Sequence, residues 1–318
     1  MIDISTPAIA ALASVVIPGV LLMRAGPAGR ALRWDAASRC WRWPDPAGGQ
    51  LHAWPAPGGA PAGLRLFEGA CALASCVSGP GRLLLGQGKR LGLVDLPPPG
   101  AAARALQAQV LVTVDAAEPR TAISDGCTDR AGNFVFGTAN TASDQRPIGS
   151  FYQYSPQHGL RRLALPVVVR AAGIAFSGDG KTMYCADGAS GRIVRCSYDA
   201  GRAKVGNIAT FAEAAPGLDA AVIDSNDRLW SVQAGQLVHY AADGAVARRM
   251  AVADEPSAAL AFGGDGLAQL LLLGAEGGLY GLPDDAVDAA VHGVAEVPFD
   301  DVAWAAGKAA AQGARTAD

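Results

Sequence analysis

Side chains able to do chemistry are sparse along these 318 residues. The four histidines, His52, His158, His239 and His292, stand far apart and read as packed or solvated residues. No Gly-x-Ser-x-Gly elbow and no nucleotide loop occurs, and Gly86-Gln87-Gly88-Lys89 reads as a hairpin turn rather than a phosphate cradle. The six cysteines (40, 71, 76, 127, 185 and 196) form no CxxC pair and no metal-finger spacing. Contexts such as Leu73-Ala74-Ser75-Cys76-Val77 mark most of them as buried thiols, the expectation for a reducing cytoplasm. What remains is carboxylate oxygen: Glu68, Asp125, Asp219 and Glu255, each at or near the start of a short apolar segment. Two carboxylates can work as an acid/base pair, and several can ligate a hard divalent cation. Carboxylates at strand ends otherwise pair locally or stay solvated, so their value depends on what brings them together.

The elements that would do so repeat. Gly49-Gln50-Leu51-His52-Ala53-Trp54, Gly191-Arg192-Ile193-Val194-Arg195-Cys196, Gly235-Gln236-Leu237-Val238-His239-Tyr240 and the shorter Gly278-Leu279-Tyr280-Gly281-Leu282 are each a Gly turn followed by an alternating strand. Each closes a unit of strand, short turn, strand, short turn, strand, and six such units run from Arg30 to Leu282. The turns Asp129-Arg130-Ala131-Gly132-Asn133, Ser177-Gly178-Asp179-Gly180-Lys181 and Asp224-Ser225-Asn226-Asp227-Arg228 carry residues that tolerate the left-handed backbone of hairpins. Small apolar first strands, such as Gly173-Ile174-Ala175-Phe176 and Ala258-Ala259-Leu260-Ala261, suit a crowded central axis. The reading is an all-β, six-bladed β-propeller. Residues 1–24 are expected to supply a closing strand, 25–285 the propeller, and 286–318 a tail with a short helix from Asp301. Four of the six tryptophans, Trp34, Trp41, Trp43 and Trp54, fall in the first unit and read as packing between sheets.

Composition narrows the partners. A net charge of −3 without a Lys/Arg run offers no electrostatic footprint for nucleic acid. The apolar stretch from Ala8 to Met23 holds Pro18, follows no positive residue and is shorter than the ~20 residues of a spanning helix. It reads as strand material, so no membrane partner is expected, and small molecules are.

The middle of the chain resembles the SMP-30/gluconolactonase/LRE family, which includes regucalcin and the sugar lactonases. Ser124-Asp125-Gly126-Cys127-Thr128-Asp129-Arg130-Ala131-Gly132-Asn133-Phe134-Val135-Phe136-Gly137-Thr138 matches the family's Asn-Asp-Gly-x-x-Asp-x-x-Gly-x-x-x-x-Gly-Thr signature at all but its first residue. Gly149-Ser150-Phe151-Tyr152, Ala172 to Ser177, Tyr184 to Asp187 and Asp219 to Asp224 extend the likeness, which covers about residues 25–285. The resemblance implies a six-bladed propeller with a divalent metal (Ca, Mg, Zn or Fe) at the axial mouth, where water opens lactone rings.

It also implies a metal held by a Glu, an Asn and an Asp, with an Asn and an Arg assisting substrate. Carried over, the Glu falls on Arg30, the ligand Asn on Ala172, the Asp on Asp219, the substrate Asn on Ser124 and its Arg on Ala122, while Asp125 is kept. A guanidinium and a methyl in place of two ligands leave one, and Arg30 could pair with Asp219 where the cation would sit. Glu68 could compensate, joining Asp125, Asp219 and Glu255 in a relocated oxygen cluster. The expectation is therefore a sugar-lactone hydrolase. Asp219 and Asp125 are its catalytic residues, Ser124, Arg30 and Arg170 bind substrate, and Asp219 and Glu68 are its metal ligands. The alternative is a non-catalytic propeller that binds a sugar acid or other small metabolite.

Overall fold

The computed structural model of the chain describes residues 15–17, 19–24, 26, 29, 31–56, 58–98, 104–252, 255–283 and 286–302. Two N-terminal strands, β1 (Val15–Ile17) and β2 (Val20–Arg24), precede the first blade. Blade 1 holds β3 (Arg33–Asp35), β4 (Cys40–Asp45), β5 (Gln50–Pro55) and β6 (Ala62–Arg65). Blade 2 holds β7 (Ala72–Cys76), β8 (Gly79–Gln87), β9 (Arg90–Asp95) and β10 (Gln109–Thr113). Blade 3 holds β11 (Thr121–Thr128), β12 (Phe134–Asn140), β13 (Phe151–Ser155) and β14 (Gly159–Arg162). Blade 4 holds β15 (Ala171–Phe176), β16 (Thr182–Asp187), β17 (Arg192–Asp199) and β18 (Lys204–Glu213). Blade 5 holds β19 (Leu218–Ile223), β20 (Leu229–Gln233), β21 (Gln236–Tyr240) and β22 (Val246–Val252). Blade 6 holds β23 (Ser257–Gly263), β24 (Gln269–Gly274) and β25 (Gly278–Gly281), and β2 is its fourth strand. The fold is a six-bladed β-propeller.

Strand β2 runs antiparallel to β25, with Val20 opposite Gly281 and Arg24 opposite Gly278, while β1 adds in parallel to the outer edge of β22. The N-terminal strands thus add to the outer edges of blades 5 and 6, and β2 completes the last blade. The sequence marks a closing strand in residues 1–24, where β2 lies, but not the outermost strands of blades 1 to 5, which lack an apolar rhythm: β6 and β10 are mostly exposed. The inner strands form a ring, β3, β7, β11, β15, β19 and β23, each in contact with the next. Their small side chains are what allow that approach; β15 and β23 are buried at every position.

Large apolar residues fill the wedges between blades. Trp41 and Trp43 are fully buried, Trp34 sits 5.0 Å from Trp41 centre to centre, and this cluster joins blade 1 to blades 5 and 6. Each buried side chain of this size contributes ~1.5–3 kcal/mol by leaving water. A buried carboxylate closes several inner hairpins. Asp129 Oδ1 accepts the N–H groups of Ala131 and Asn133 (2.9 and 3.0 Å), and Asp224 Oδ1 does the same for Asn226 and Arg228. Blade 2 has no such residue of its own; Asp301 of the tail accepts Ser78 N at 3.0 Å instead.

The tail is a strap across one end of the ring. Gly293 bridges Asp224, Phe299 bridges Cys76 and is fully buried, and Arg130 donates to Ala295 O at 2.7 Å. The helix expected beyond Asp301 lies outside the described residues, as does Arg30.

Candidate active site

One irregularity recurs at the N-terminal ends of four inner strands. The register against the second strand slips between Ile123 and Asp125, Ala172 and Ala175, Leu218 and Ala220, and Ser257 and Ala259. The extra residues are Ser124, Gly173 or Ile174, Asp219 and Ala258. A bulge leaves a residue out of the ladder and re-aims its side chain. Here it acts at one height in blades 3 to 6, at the end of the channel opposite the strap. Gly173 shows why glycine is needed: its φ is +62°, and a Cβ there would lie 2.8 Å from Leu218 Cδ2 of the next blade.

Asp219, released by its bulge, meets Arg170, which stands one residue before β15. Arg170 Nη1 is 3.1 Å from Asp219 Oδ1, and both side chains are about four-fifths buried, with 19% and 18% exposure. The guanidinium is also fixed by backbone: Nη2 donates to Leu218 O at 2.9 Å and to Gly188 O at 3.3 Å. Ser124 Oγ lies on the neighbouring blade and donates to Ala171 O at 2.8 Å. Of the residues read from sequence, Arg170 and Asp219 are thus in contact, and Ser124 is bonded to the residue that follows Arg170. The pairing of an arginine with Asp219 was anticipated, but the partner among the described residues is Arg170.

Asp125 faces inward. It is 7% exposed, Oδ1 accepts the N–H of Gly126 at 2.8 Å, and Oδ2 accepts that of Ile174 at 3.0 Å. The second bond holds the N–H that the blade 4 bulge releases, so Asp125 pins the geometry that sets Gly173 and its neighbours. Burial pushes its carboxyl above the ordinary 3.8, while the Ile174 and Gly126 N–H groups, Arg33 and Arg170 pull the other way. Arg33 was not singled out from sequence, where Leu32-Arg33-Trp34 reads as an ordinary alternation. In the fold its Nη2 crosses the axial channel from blade 1 to Gly126 O of blade 3 at 2.8 Å, and its Nε faces Glu296 of the strap at 3.5 Å. Below it lies a cavity of about 60 Å³ lined by Cys127, Thr128, Phe176, Phe262 and Glu296 among others, at the end away from Asp219.

The relocated oxygen cluster is not formed. Glu68 turns outward to Arg90, 2.5 Å away, over the hairpin between β8 and β9. Glu255 is buried in blade 6, accepting Gly278 N and the Tyr280 hydroxyl at 2.9 Å each. Among the described residues no three of His, Cys, Asp and Glu group to hold a metal ion. The ligand position on blade 4 is the fully buried methyl of Ala172. The described side chains of the mouth thus do not fit a divalent cation, which takes several oxygens. The histidines lie elsewhere. His52 stacks on Trp43 and His239 on Trp230, burial lowers the pKa of both, and His292 is exposed in the strap. Burial pushes the Cys127 and Cys185 thiols up, away from the reactive thiolate. No helix among the described residues is long and apolar enough to cross a membrane.

Comparison with known proteins agrees with this architecture. The chain is 32% identical over 265 residues to L-arabinolactonase of Azospirillum brasilense, covering 81% of this chain and 83% of that one. The structure overlays on regucalcin of Agrobacterium tumefaciens, described as a calcium-binding protein, with a TM-score of 0.78 at 22% identity over 91% of this chain and 99% of that one. It overlays on a gluconolactonase of Xanthomonas campestris with a TM-score of 0.67 at 20% identity over 83% and 88%. The profile of the SMP-30/Gluconolactonase/LRE-like region matches residues 28–276. With a repeat, a signature and a ring of inner strands that agree with that match, the chain belongs to the SMP-30/gluconolactonase/LRE-like family.

Proposed function

We propose that this protein hydrolyses small sugar lactones at the mouth formed by Ser124, Arg170 and Asp219. The likeness to an L-arabinolactonase at 32% identity along most of both chains carries the activity, and the Arg170–Asp219 pair supplies a chemical means. In the proposed reaction a water oxygen adds to the lactone carbonyl carbon as Asp219 takes one of its protons. Arg170 donates hydrogen bonds to the carbonyl oxygen as negative charge develops there. The ring C–O bond then breaks, the ring oxygen receives the proton from Asp219 and becomes a hydroxyl, and the sugar acid leaves. One water is consumed for each ring opened. Ser124 would position a substrate hydroxyl beside the pair. A group that passes a proton in this way typically contributes 10²- to 10⁴-fold, roughly, to the rate.

The test is proton release from L-arabinolactone and gluconolactone, followed with a pH indicator and corrected for spontaneous opening. Acceleration that falls about 100-fold or more in Asp219→Asn is expected. The proposal is rejected if neither lactone opens faster than in buffer, with or without added divalent metals. Binding of the sugar acids without any turnover would mark the protein as a non-catalytic member of the family.

A further inference from the structure

We infer that Arg170 acts as a resident cation of this mouth, so that the protein binds the carbonyl or carboxylate of its ligand without a divalent metal. The inference deepens the lactonase reading and rests on it for the class of ligand. Three observations carry it. Asp219, the one family metal ligand kept in the sequence, has a guanidinium nitrogen 3.1 Å from its carboxylate. A divalent ion bound to that carboxylate at ordinary calcium distances of ~2.3–2.6 Å would be pressed against a like charge. The blade 4 ligand position is a buried methyl, Ala172, and Glu68 and Glu255 are engaged in blades 2 and 6. Asp125 is held by the Gly126 and Ile174 N–H groups, and Asp187 Oδ1 by those of Arg170 and Ala189, so no group of three described ligands forms around Asp219 to offset the ion.

The third observation is rigidity. Arg170 is seated against the Gly188 backbone, where a Cβ would fall 2.6 Å from its Cζ, and its own N–H donates to Asp187 Oδ1 at 3.1 Å. With Leu218 O and Gly188 O accepting from Nη2, the guanidinium is fixed before any ligand arrives. A preorganised cation of this kind stabilises developing negative charge without having to reorient. A planar carboxylate or lactone carbonyl is the group a guanidinium recognises.

The experiment uses the full chain, treated with EDTA and dialysed, and reads three quantities: metal content by elemental analysis, the thermal shift given by L-arabinonate, and the rate of L-arabinolactone opening. Substoichiometric metal, with shift and rate unchanged by the chelator, is the expected result. Arg170→Met is expected to lose the shift, and Arg170→Lys, which keeps the charge, to recover part of it. The inference is overturned if EDTA abolishes shift and rate and Ca, Mg, Zn or Fe(II) restores them; the lactonase reading then stands. It is overturned equally if L-arabinonate gives no shift under either condition. A chelator-resistant shift without lactone opening leaves the resident cation in place and removes the lactonase reading instead.

Discussion

Replacing Arg170 by methionine is expected to lower kcat/KM for L-arabinolactone by about 100- to 1,000-fold, the cost of losing a donor aimed at a developing oxyanion. Asp219→Asn is expected to lose a comparable amount, about 100-fold or more, because the amide cannot accept the proton of the attacking water. More telling is the double variant. The two side chains meet at 3.1 Å and Arg170 is held by the carbonyl of Leu218, the residue before Asp219. Groups that act as a unit give losses that do not multiply. Arg170→Met/Asp219→Asn is therefore expected to be no slower than the worse single variant, within about threefold, as judged by a double-mutant cycle on kcat/KM. Losses that multiply would show the two residues acting separately and would end the paired mechanism. Each single variant also breaks a largely buried ion pair, so urea midpoints below wild type are expected, and rates are compared under conditions where each variant is shown by circular dichroism to be folded.

Asp125→Ala is expected to be the most destabilising carboxylate substitution in the channel. It strips the acceptors from two buried N–H groups, Gly126 and Ile174, and takes a counter-charge from Arg33. Each orphaned buried donor costs ~1–3 kcal/mol, and breaking a buried charge pairing by removing one partner costs ~3–5 kcal/mol. These terms overlap, and a loss of about 4 kcal/mol is expected, a large part of the ~5–15 kcal/mol that holds a domain folded. Asp125→Asn keeps one acceptor and is expected to lose roughly half as much. The two differ in pH behaviour. Because burial raises the folded carboxyl above its ordinary 3.8, the group's titration favours the folded state most fully below the unfolded value. That contribution fades as pH climbs through the raised folded value, then stays level. The wild-type advantage over Asp125→Asn in urea unfolding is thus expected to be greatest in acid and to shrink upward from there. An advantage that instead grows with pH would show that the carboxyl is pulled down in the fold.

The architecture was legible because its elements announce themselves locally. Small apolar inner strands and Asp/Gly hairpins recur in several of the six blades, whereas the outer strands, solvent-facing and mixed in character, carry no comparable rhythm. The site was legible only in its inventory. Ser124, Arg170 and Asp219 were each identified, yet the pairing of Arg170 with Asp219 joins adjacent blades. It needs both the short link before β15 and the bulge in β19, and neither shows in the residue types. The signal available was positional: Arg170 directly precedes an inner strand, at the height Asp219 has one blade further on. Within the family signature, Asp125 pins a bulge and Asp129 closes a hairpin. Arg33 and Glu296 went unnoticed because a channel-crossing contact has no trace in a strand's alternation.

The strap and the Arg33 crossing give the mouth a kinetic character. The strap lies across the far end of the channel and the Arg33 guanidinium spans its interior, so the end that carries Arg170 and Asp219 is the expected route for both substrate and product. In the proposed reaction, product carrying a fresh carboxylate departs past the very group that drew the substrate in, so accumulated sugar acid is expected to compete with incoming lactone and slow its own formation.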